Sequence, residues 1–177
     1  MTARSVLGFT AAVALVGAVA LAGVFLGSSA RRWWSAPAGE DSLLVPGRAF
    51  PDVELSAADG TAARSGQLAA ERGAVVLFLD LDCGSCSEMA AHWEPLSREL
   101  PVLGVAAASA EAIRRYKDAH GLTFPIYADP GGTFQRDWRV TSFPLRLLVA
   151  RSGTIVAAGH DAAEPVDPAA LRAQLAR

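Results

Sequence analysis

The apolar positions of this chain fall into runs whose period separates strands from helices. Seven runs have strand character, either as continuous apolar stretches or as apolar–polar alternation beside a turn. These runs lie at residues 51–55, 61–64, 73–80, 101–107, 124–128, 145–150 and 154–159. Two of the turns between them contain glycine, at Asp59-Gly60 and Ser152-Gly153, and each predicts an antiparallel hairpin.

Helices are predicted between these strands from cap residues and chain breakers. Ser109 caps one helix and Gly121 ends it, whereas Asp167 followed by Pro168 begins the terminal helix. Further helices are predicted at residues 65–71, 85–100 and 133–138. Ser65 is the expected cap of the first of these. This order of elements predicts an α/β fold, with a mixed central β-sheet covered by helices on both faces.

A run of 21 residues without a charge, residues 6–26, precedes this domain. At about 1.5 Å per residue it matches a hydrocarbon core of about 30 Å, which predicts an N-terminal transmembrane anchor within residues 1–27. A cleaved signal peptide is the alternative, although its apolar core is usually only about 7–15 residues long. Residues 28–46 have the small, polar and proline-rich composition of a linker, and residues 47–177 are predicted to form one domain.

Composition excludes several classes of function. The net charge of −2 and the scattered arginines provide no basic surface for nucleic acid. The chain has 2 cysteines, and no second pair of Cys or His lies at zinc-ligand spacing, so neither a metal site nor a cofactor is predicted. Three histidines, His92, His120 and His160, are predicted to be surface residues. Trp93 and Trp138 are predicted to belong to the core.

The two cysteines stand in the sequence Cys83-Gly84-Ser85-Cys86, between a predicted buried strand and a predicted helix. A crosslink between them closes too short a loop to stabilise the fold by restricting the unfolded chain. The spacing suits a reversible dithiol, because helix N-terminal amides stabilise a thiolate. We expect Cys83, at the helix start, to attack a substrate disulfide, and Cys86 to resolve the mixed disulfide that results.

Further motifs accompany the dithiol in a fixed order. They are the opening Gly47-Arg-Ala-Phe-Pro-Asp52, the Asp59-Gly60 hairpin, Phe124-Pro125 after the dithiol, and Val140-Thr-Ser-Phe-Pro144 before the last hairpin. Through these motifs, residues 48–177 resemble the thioredoxin superfamily. Within this superfamily they resemble the membrane-anchored TlpA-like and ResA-like thiol-disulfide oxidoreductases, which have a redoxin domain similar to AhpC/TSA. The resemblance implies a thioredoxin-like fold in which Pro144 is cis and faces the active-site sulfurs. It also implies that the backbone of Phe143 pairs with an extended substrate segment.

Several positions depart from the pattern of this family. Asp82 replaces the Trp that commonly precedes the first cysteine, Leu77 replaces a buried acid, and Ala91 replaces a helical proline. No proline lies between the cysteines. Asp80 is a candidate to take over the proton-transfer role of the missing acid. The carboxylate of Asp82 is expected to oppose ionisation of the adjacent cysteine.

The resemblance implies an enzyme that reduces or exchanges disulfides in exported proteins. Reducing equivalents would come from a membrane dithiol carrier, and apocytochromes in cytochrome c maturation are one substrate class. Arg4 before the apolar run and Arg31-Arg32 after it do not decide its orientation by the positive-inside rule. We expect a single-pass protein of the cell membrane with the domain on the extracytoplasmic face, because a cytosolic dithiol protein would need no membrane span.

Three other functions share parts of this pattern. A peroxiredoxin-like thiol peroxidase would show a Pro-x-x-x-Thr/Ser-x-x-Cys motif, whereas Asp80 occupies its Thr/Ser position. A Sco-like metal-delivery protein would need Cys-x-x-x-Cys and a suitably placed His. A non-catalytic adaptor module on the same fold would leave the dithiol without a use.

Overall fold

The computed structural model of the protein describes residues 42–160 and 167–177. The predicted transmembrane anchor at 1–27 lies outside these residues, as does most of the predicted linker. Across the described ranges, no helix is both long enough and apolar enough to span a bilayer.

Seven strands form one mixed sheet at the centre of the domain. They are β1 (Glu54–Ser56), β2 (Ala62–Arg64), β3 (Ala74–Phe78), β4 (Val102–Ala106), β5 (Ile126–Ala128), β6 (Leu145–Val149) and β7 (Ile155–Gly159). Their order across the sheet is β2-β1-β5-β4-β3-β6-β7. β3, β4 and β5 are parallel, whereas β1–β2, β1–β5, β3–β6 and β6–β7 are antiparallel pairs. The mixed sheet and both predicted hairpins are therefore confirmed.

The described residues contain five helices, each close to a predicted range, although the helix predicted at 85–100 ends at Leu96. They are α1 (Ser65–Ala70), α2 (Gly84–Leu96), α3 (Ala110–His120), α4 (Thr133–Asp137) and α5 (Pro168–Leu175). The Ser109 hydroxyl accepts a hydrogen bond from the amide of Ala112 at 3.2 Å, and Gly121 ends α3 in the left-handed conformation. Asp167 caps α5 by accepting a hydrogen bond from the amide of Ala169 at 2.9 Å.

Helices cover both faces of the sheet. All five residues of β6 are buried, although successive side chains of a strand point to opposite faces. Leu145 and Leu147 pack into a core cluster with Phe134 of α4 on one face. Arg146 lies between them in sequence, so it points to the other face, where its guanidinium carbon lies 5.8 Å from the ring centre of Trp93 in α2.

The prediction that Ser65 caps the first helix is wrong. Arg64 is the cap residue of α1, and it makes no side-chain cap bond. The Ser65 hydroxyl instead donates to the carbonyl of Pro51 at 2.7 Å and accepts from the amide of Val53 at 2.8 Å. Because the hydroxyl is fully buried, it serves the polar groups of the segment that leads into β1.

The domain begins earlier than the predicted boundary at residue 47. Leu44 lies within the predicted linker, yet its side chain is fully buried in the core cluster. The amide of Leu43 donates to the carbonyl of Trp138 at 3.1 Å, and the Trp138 ring packs partly buried against the same cluster. The end of the predicted linker is therefore part of the packed domain.

Gly73 makes a tight connection between α1 and β3. It has a φ of +70°, a conformation that side chains with a Cβ atom rarely adopt. A Cβ atom added here would lie 2.6 Å from the carbonyl oxygen of Leu175 and 2.9 Å from the Leu175 Cβ. Only glycine allows the end of α5 to pack this closely against the start of β3.

One edge of the sheet gathers the segments around the cysteines. β6 runs antiparallel to both of its neighbours, β3 and β7, so the end of β3, the start of β6 and the end of β7 share that edge. Residues 80–86 follow β3, residues 143–144 precede β6, and His160 follows β7. The fold thus brings three chain segments that are distant in sequence to the same place.

Candidate active site

The dithiol lies at the junction between β3 and α2, as predicted. Cys83 is the cap residue of α2, with extended backbone angles, and its carbonyl accepts hydrogen bonds from the amides of Cys86 and Ser87 at 3.1 and 3.2 Å. Its side chain is half-buried, whereas that of Cys86 is fully buried on the inner face of the helix. The two sulfurs therefore differ in access to a large substrate.

Hydrogen bonds at the helix start favour the thiolate form of Cys83. The Ser85 hydroxyl lies 3.0 Å from the Cys83 sulfur and is the main cause that lowers the pKa of this thiol. The thiol and the backbone amide of Cys86 lower the same pKa further. Because an ionised sulfur is the reactive species, the more accessible cysteine is also the better prepared nucleophile. Ser85 was not singled out in the sequence, although its place between the cysteines was a signal for it.

The pKa of the Cys86 thiol shifts in the opposite direction, upward. Burial is the main cause that raises the pKa of its thiol to about 12. The neighbouring Cys83 and the charge of Asp80 raise this pKa further, while a hydrogen bond from the Asp80 amide, 3.4 Å from the Cys86 sulfur, opposes the shift. Cys86 thus keeps its proton at neutral pH until another group removes it.

The two acidic residues of this turn differ in their effect on the pKa values of the two thiols. Asp80 and Asp82 are both exposed, and the Oδ1 atom of Asp80 accepts a hydrogen bond from the Asp82 amide at 3.0 Å. The charge of Asp80 acts on the pKa of Cys86. Asp82, which we expected to oppose ionisation of Cys83, is not among the groups that shift the pKa of that thiol. Asp80 is therefore the acid that the geometry connects with the buried sulfur.

The Phe143–Pro144 segment lies at the same edge of the sheet as the dithiol. The peptide bond between these residues is cis, as the resemblance implied. Pro144 is buried, and the half-buried ring of Phe143 packs against the core cluster. Among the described residues, neither the amide nor the carbonyl of Phe143 has a hydrogen-bond partner. This backbone is therefore available to pair with an extended peptide.

His160 contacts this segment, and sequence reasoning missed it. Its Nδ1 atom lies 2.7 Å from the carbonyl oxygen of Pro144, and its side chain is half-buried. The prediction of a plain surface residue is therefore wrong for this histidine. Sixteen positions separate the two residues in sequence, and no local pattern signals a contact made through the pairing of β6 with β7.

A polar cluster formed by residues of α2 and α3 adjoins the dithiol. The Tyr116 hydroxyl donates to the Ser87 hydroxyl at 3.2 Å, and the Nε2 atom of the exposed His120 lies 3.5 Å from the same oxygen. Burial raises the pKa of Tyr116, and the charges of Cys86 and Cys83 add to this effect. The cluster therefore lies close enough to the cysteines to respond to their charge.

The buried acid that the resemblance would place on β3 has no counterpart here. Leu77 occupies that position, is fully buried, and pairs in the sheet with Arg146 of β6, whose exposed fraction is 3%. Gly159 pairs with Arg146 in the sheet, and a Cβ atom added at Gly159 would make an ordinary van der Waals contact with Nη2 of Arg146, at 3.5 Å. Sequence reasoning gave no sign of a buried arginine, because an arginine in a short strand is usually exposed.

Comparison with known proteins finds a family model and several solved structures that are similar to this chain. The model described as "AhpC/TSA family" matches residues 46–158. Peroxidoxin BcpB from Mycobacterium tuberculosis is 17% identical with a TM-score of 0.61, over 75% of this chain and 96% of that chain. A protein from Bacteroides thetaiotaomicron, provisionally named a protein disulfide isomerase, is 22% identical with a TM-score of 0.61, over 76% of this chain and 90% of that chain.

A third solved structure belongs to the disulfide-exchange group. It is a secreted disulfide oxidoreductase of M. tuberculosis, described as homologous to E. coli DsbE, and it is 16% identical with a TM-score of 0.53 over 71% of this chain and 95% of that chain. No curated protein matches the chain. At these identities the solved structures show a thioredoxin-like fold, which both peroxide-reducing and disulfide-exchanging proteins use.

Proposed function

The chain belongs to the AhpC/TSA family, and on that premise we propose that it is a thiol-disulfide oxidoreductase acting on disulfides of exported proteins. Cys83 and Cys86 are the proposed redox pair, and reduction of the substrate is the proposed direction. The difference between the two sulfurs carries this proposal. One is half-exposed with a lowered pKa, and the other is fully buried with a pKa of about 12.

The two sulfurs support a two-step exchange. The Cys83 thiolate attacks one sulfur of the substrate disulfide, that S–S bond breaks, and a mixed disulfide forms while the released substrate thiolate takes a proton. Cys86 then loses its proton and attacks the Cys83 sulfur. This step forms the Cys83–Cys86 disulfide and releases the second substrate sulfur as a thiolate. Two electrons pass from the protein to the substrate, and a membrane dithiol carrier is the proposed source that restores them.

Asp80 is the proposed proton acceptor for Cys86. The charge of its carboxylate influences the pKa of Cys86, and its own amide contacts the Cys86 sulfur. The Asp80 side chain is exposed, so a proton taken from Cys86 can pass to water. Phe143 is the proposed docking residue, because its backbone groups have no partners among the described residues.

The proposed place of action is the extracytoplasmic face of the cell membrane. The apolar run at residues 6–26 and the resemblance to anchored oxidoreductases support this proposal. A reporter active only in the periplasm should therefore be functional when fused after Glu40, and a reporter active only in the cytoplasm should not. The reverse pattern would remove exported proteins from the proposed substrates, including the apocytochromes.

Peroxide reduction is the second candidate function. The family match and the likeness to peroxidoxin BcpB favour it. The sequence before Cys83 favours it less, because Asp80 replaces the Thr/Ser of the peroxidatic motif.

Parallel assays distinguish the two functions. Full-length protein in detergent should reduce the disulfides of insulin with dithiothreitol as electron source, and should consume hydrogen peroxide much more slowly. Replacing Cys86 with Ser should trap mixed disulfides with client proteins, visible on non-reducing gels, whereas replacing Cys83 with Ser should not. Rapid peroxide consumption without insulin reduction would favour the peroxidase.

A further inference from the structure

A hydrogen bond joins His160 to the segment proposed to receive the substrate. The Nδ1 atom of His160 lies 2.7 Å from the carbonyl oxygen of Pro144. A carbonyl oxygen carries no hydrogen and can only accept, so Nδ1 is the protonated nitrogen in this contact. The histidine directly follows β7, so the sheet fixes the position of its backbone.

We propose that His160 is a positioning residue, which holds the Phe143–Pro144 segment in place for docking of extended protein substrates. This inference rests on the proposed thiol-disulfide oxidoreductase function. In this role His160 acts through the Pro144 carbonyl and needs no contact with either sulfur. Its role is to fix where the Phe143 backbone groups point.

The surrounding loop needs such a support. Among the described residues, no backbone–backbone hydrogen bond involves residues 141–143. Phe143 is the last residue of this stretch, and its amide and carbonyl are the groups proposed to pair with the substrate. The bond from His160 therefore reaches the loop at the residue next to the docking position. Without it, the loop would lose a fixed point just where a rigid orientation lowers the entropy cost of binding.

The geometry distinguishes between two amide substitutions. In asparagine the side-chain nitrogen stands as many bonds from Cα as Nδ1 does in histidine, whereas in glutamine it matches Nε2. His160→Asn should therefore keep a donor opposite the Pro144 carbonyl, and His160→Gln should lose it. The two variants have the same chemical group, so the comparison isolates the position of the donor. His160→Leu removes the donor altogether.

Reduction kinetics with two substrates test the proposal. Insulin presents an extended chain, whereas Ellman's reagent is a disulfide without a peptide backbone. In full-length protein, His160→Gln and His160→Leu should raise the KM for insulin about fivefold, the loss expected for one hydrogen bond, with kcat nearly unchanged. Reaction with Ellman's reagent should stay unchanged. His160→Asn should restore the KM for insulin.

Each outcome has a defined meaning. An unchanged KM for insulin in the Gln and Leu variants would overturn the inference, as would a failure of Asn to restore it or an equal loss with Ellman's reagent. Wild-type protein that does not reduce insulin would overturn the proposed function itself. Should the Leu variant fail to fold, the Asn and Gln variants still decide, and hydrogen exchange at residues 141–143 should be faster in Gln than in Asn.

Discussion

Alkylation of the two cysteines gives the most direct test of the proposed division of roles. Each thiol is isolated by replacing the other, so that Cys86→Ser leaves Cys83 and Cys83→Ser leaves Cys86. Iodoacetamide reacts with thiolates and is small enough to report ionisation as well as access. We expect Cys83 to react much faster than Cys86 near neutral pH.

The pKa values and the burial set the size of this difference. The pKa of Cys86 is about 12, and that of Cys83 lies below the ordinary thiol value of 9.0. The thiolate fraction of Cys86 is therefore roughly 1,000-fold smaller near neutral pH. A more basic thiolate is a stronger nucleophile, and a Brønsted slope of about 0.4–0.5 returns a factor of roughly 16–32. Cys83 should react at least about 30-fold faster, and the complete burial of Cys86 increases the ratio further.

Mass spectrometry of samples quenched at intervals measures both rate constants. The same reaction in concentrated guanidinium is the control, because unfolding exposes both thiols and should make the two rates similar. Circular dichroism of both variants should show that they are folded before the comparison. Equal rates in the folded variants would refute the assignment of Cys83 as the nucleophile and Cys86 as the resolving thiol.

Three further results are expected. Ser85→Ala should raise the pKa of Cys83, measured from thiolate absorbance, because the main hydrogen bond that lowers it is lost; an unchanged pKa would contradict this account. Gly73→Ala should reduce the free energy of unfolding by more than Gly121→Ala does, measured by denaturant titration. Both positions have positive φ, a cost of about 1–2 kcal/mol for alanine, but only at Gly73 would the new Cβ meet a backbone oxygen at 2.6 Å. Finally, the reduced protein should lose stability as the pH rises from about 8.5 to about 12, because the folded state holds the proton of Cys86 that the unfolded state releases. Thermal unfolding should show a flatter pH dependence in Cys86→Ser.

Local signals in the sequence were sufficient for much of the fold. Ser109 and Gly121 bound α3 as predicted, and Asp167 caps α5, because caps act within a few residues. The apolar strand before the cysteines and the helical segment after them likewise located the dithiol at the start of a helix. Ser65 shows where this reasoning fails, since its hydroxyl bonds to residues that lie more than ten positions earlier. A residue suited to capping was used for a long-range contact.

The rest of the site depends on contacts that no local pattern encodes. His160 reaches the Pro144 carbonyl only because β6 and β7 pair, and the buried guanidinium of Arg146 lies against the ring of Trp93, which is distant in sequence. The expectation that Asp82 would act on Cys83 came from adjacency in sequence. Asp82 is not among the groups that shift the pKa of Cys83, whereas the hydroxyl of Ser85, 3.0 Å from the sulfur, is the main cause that lowers it.

Among the described residues the backbone of Phe143 has no hydrogen-bond partner, and this has a consequence for the choice of clients. A main-chain amide and carbonyl recognise an extended chain whatever its side chains are, so docking at this position is indifferent to sequence. Under the proposed function, the protein would accept extended substrate chains of any sequence at Phe143. Selectivity would then have to arise before docking, from which proteins are delivered to the same membrane face while their disulfides are still exposed.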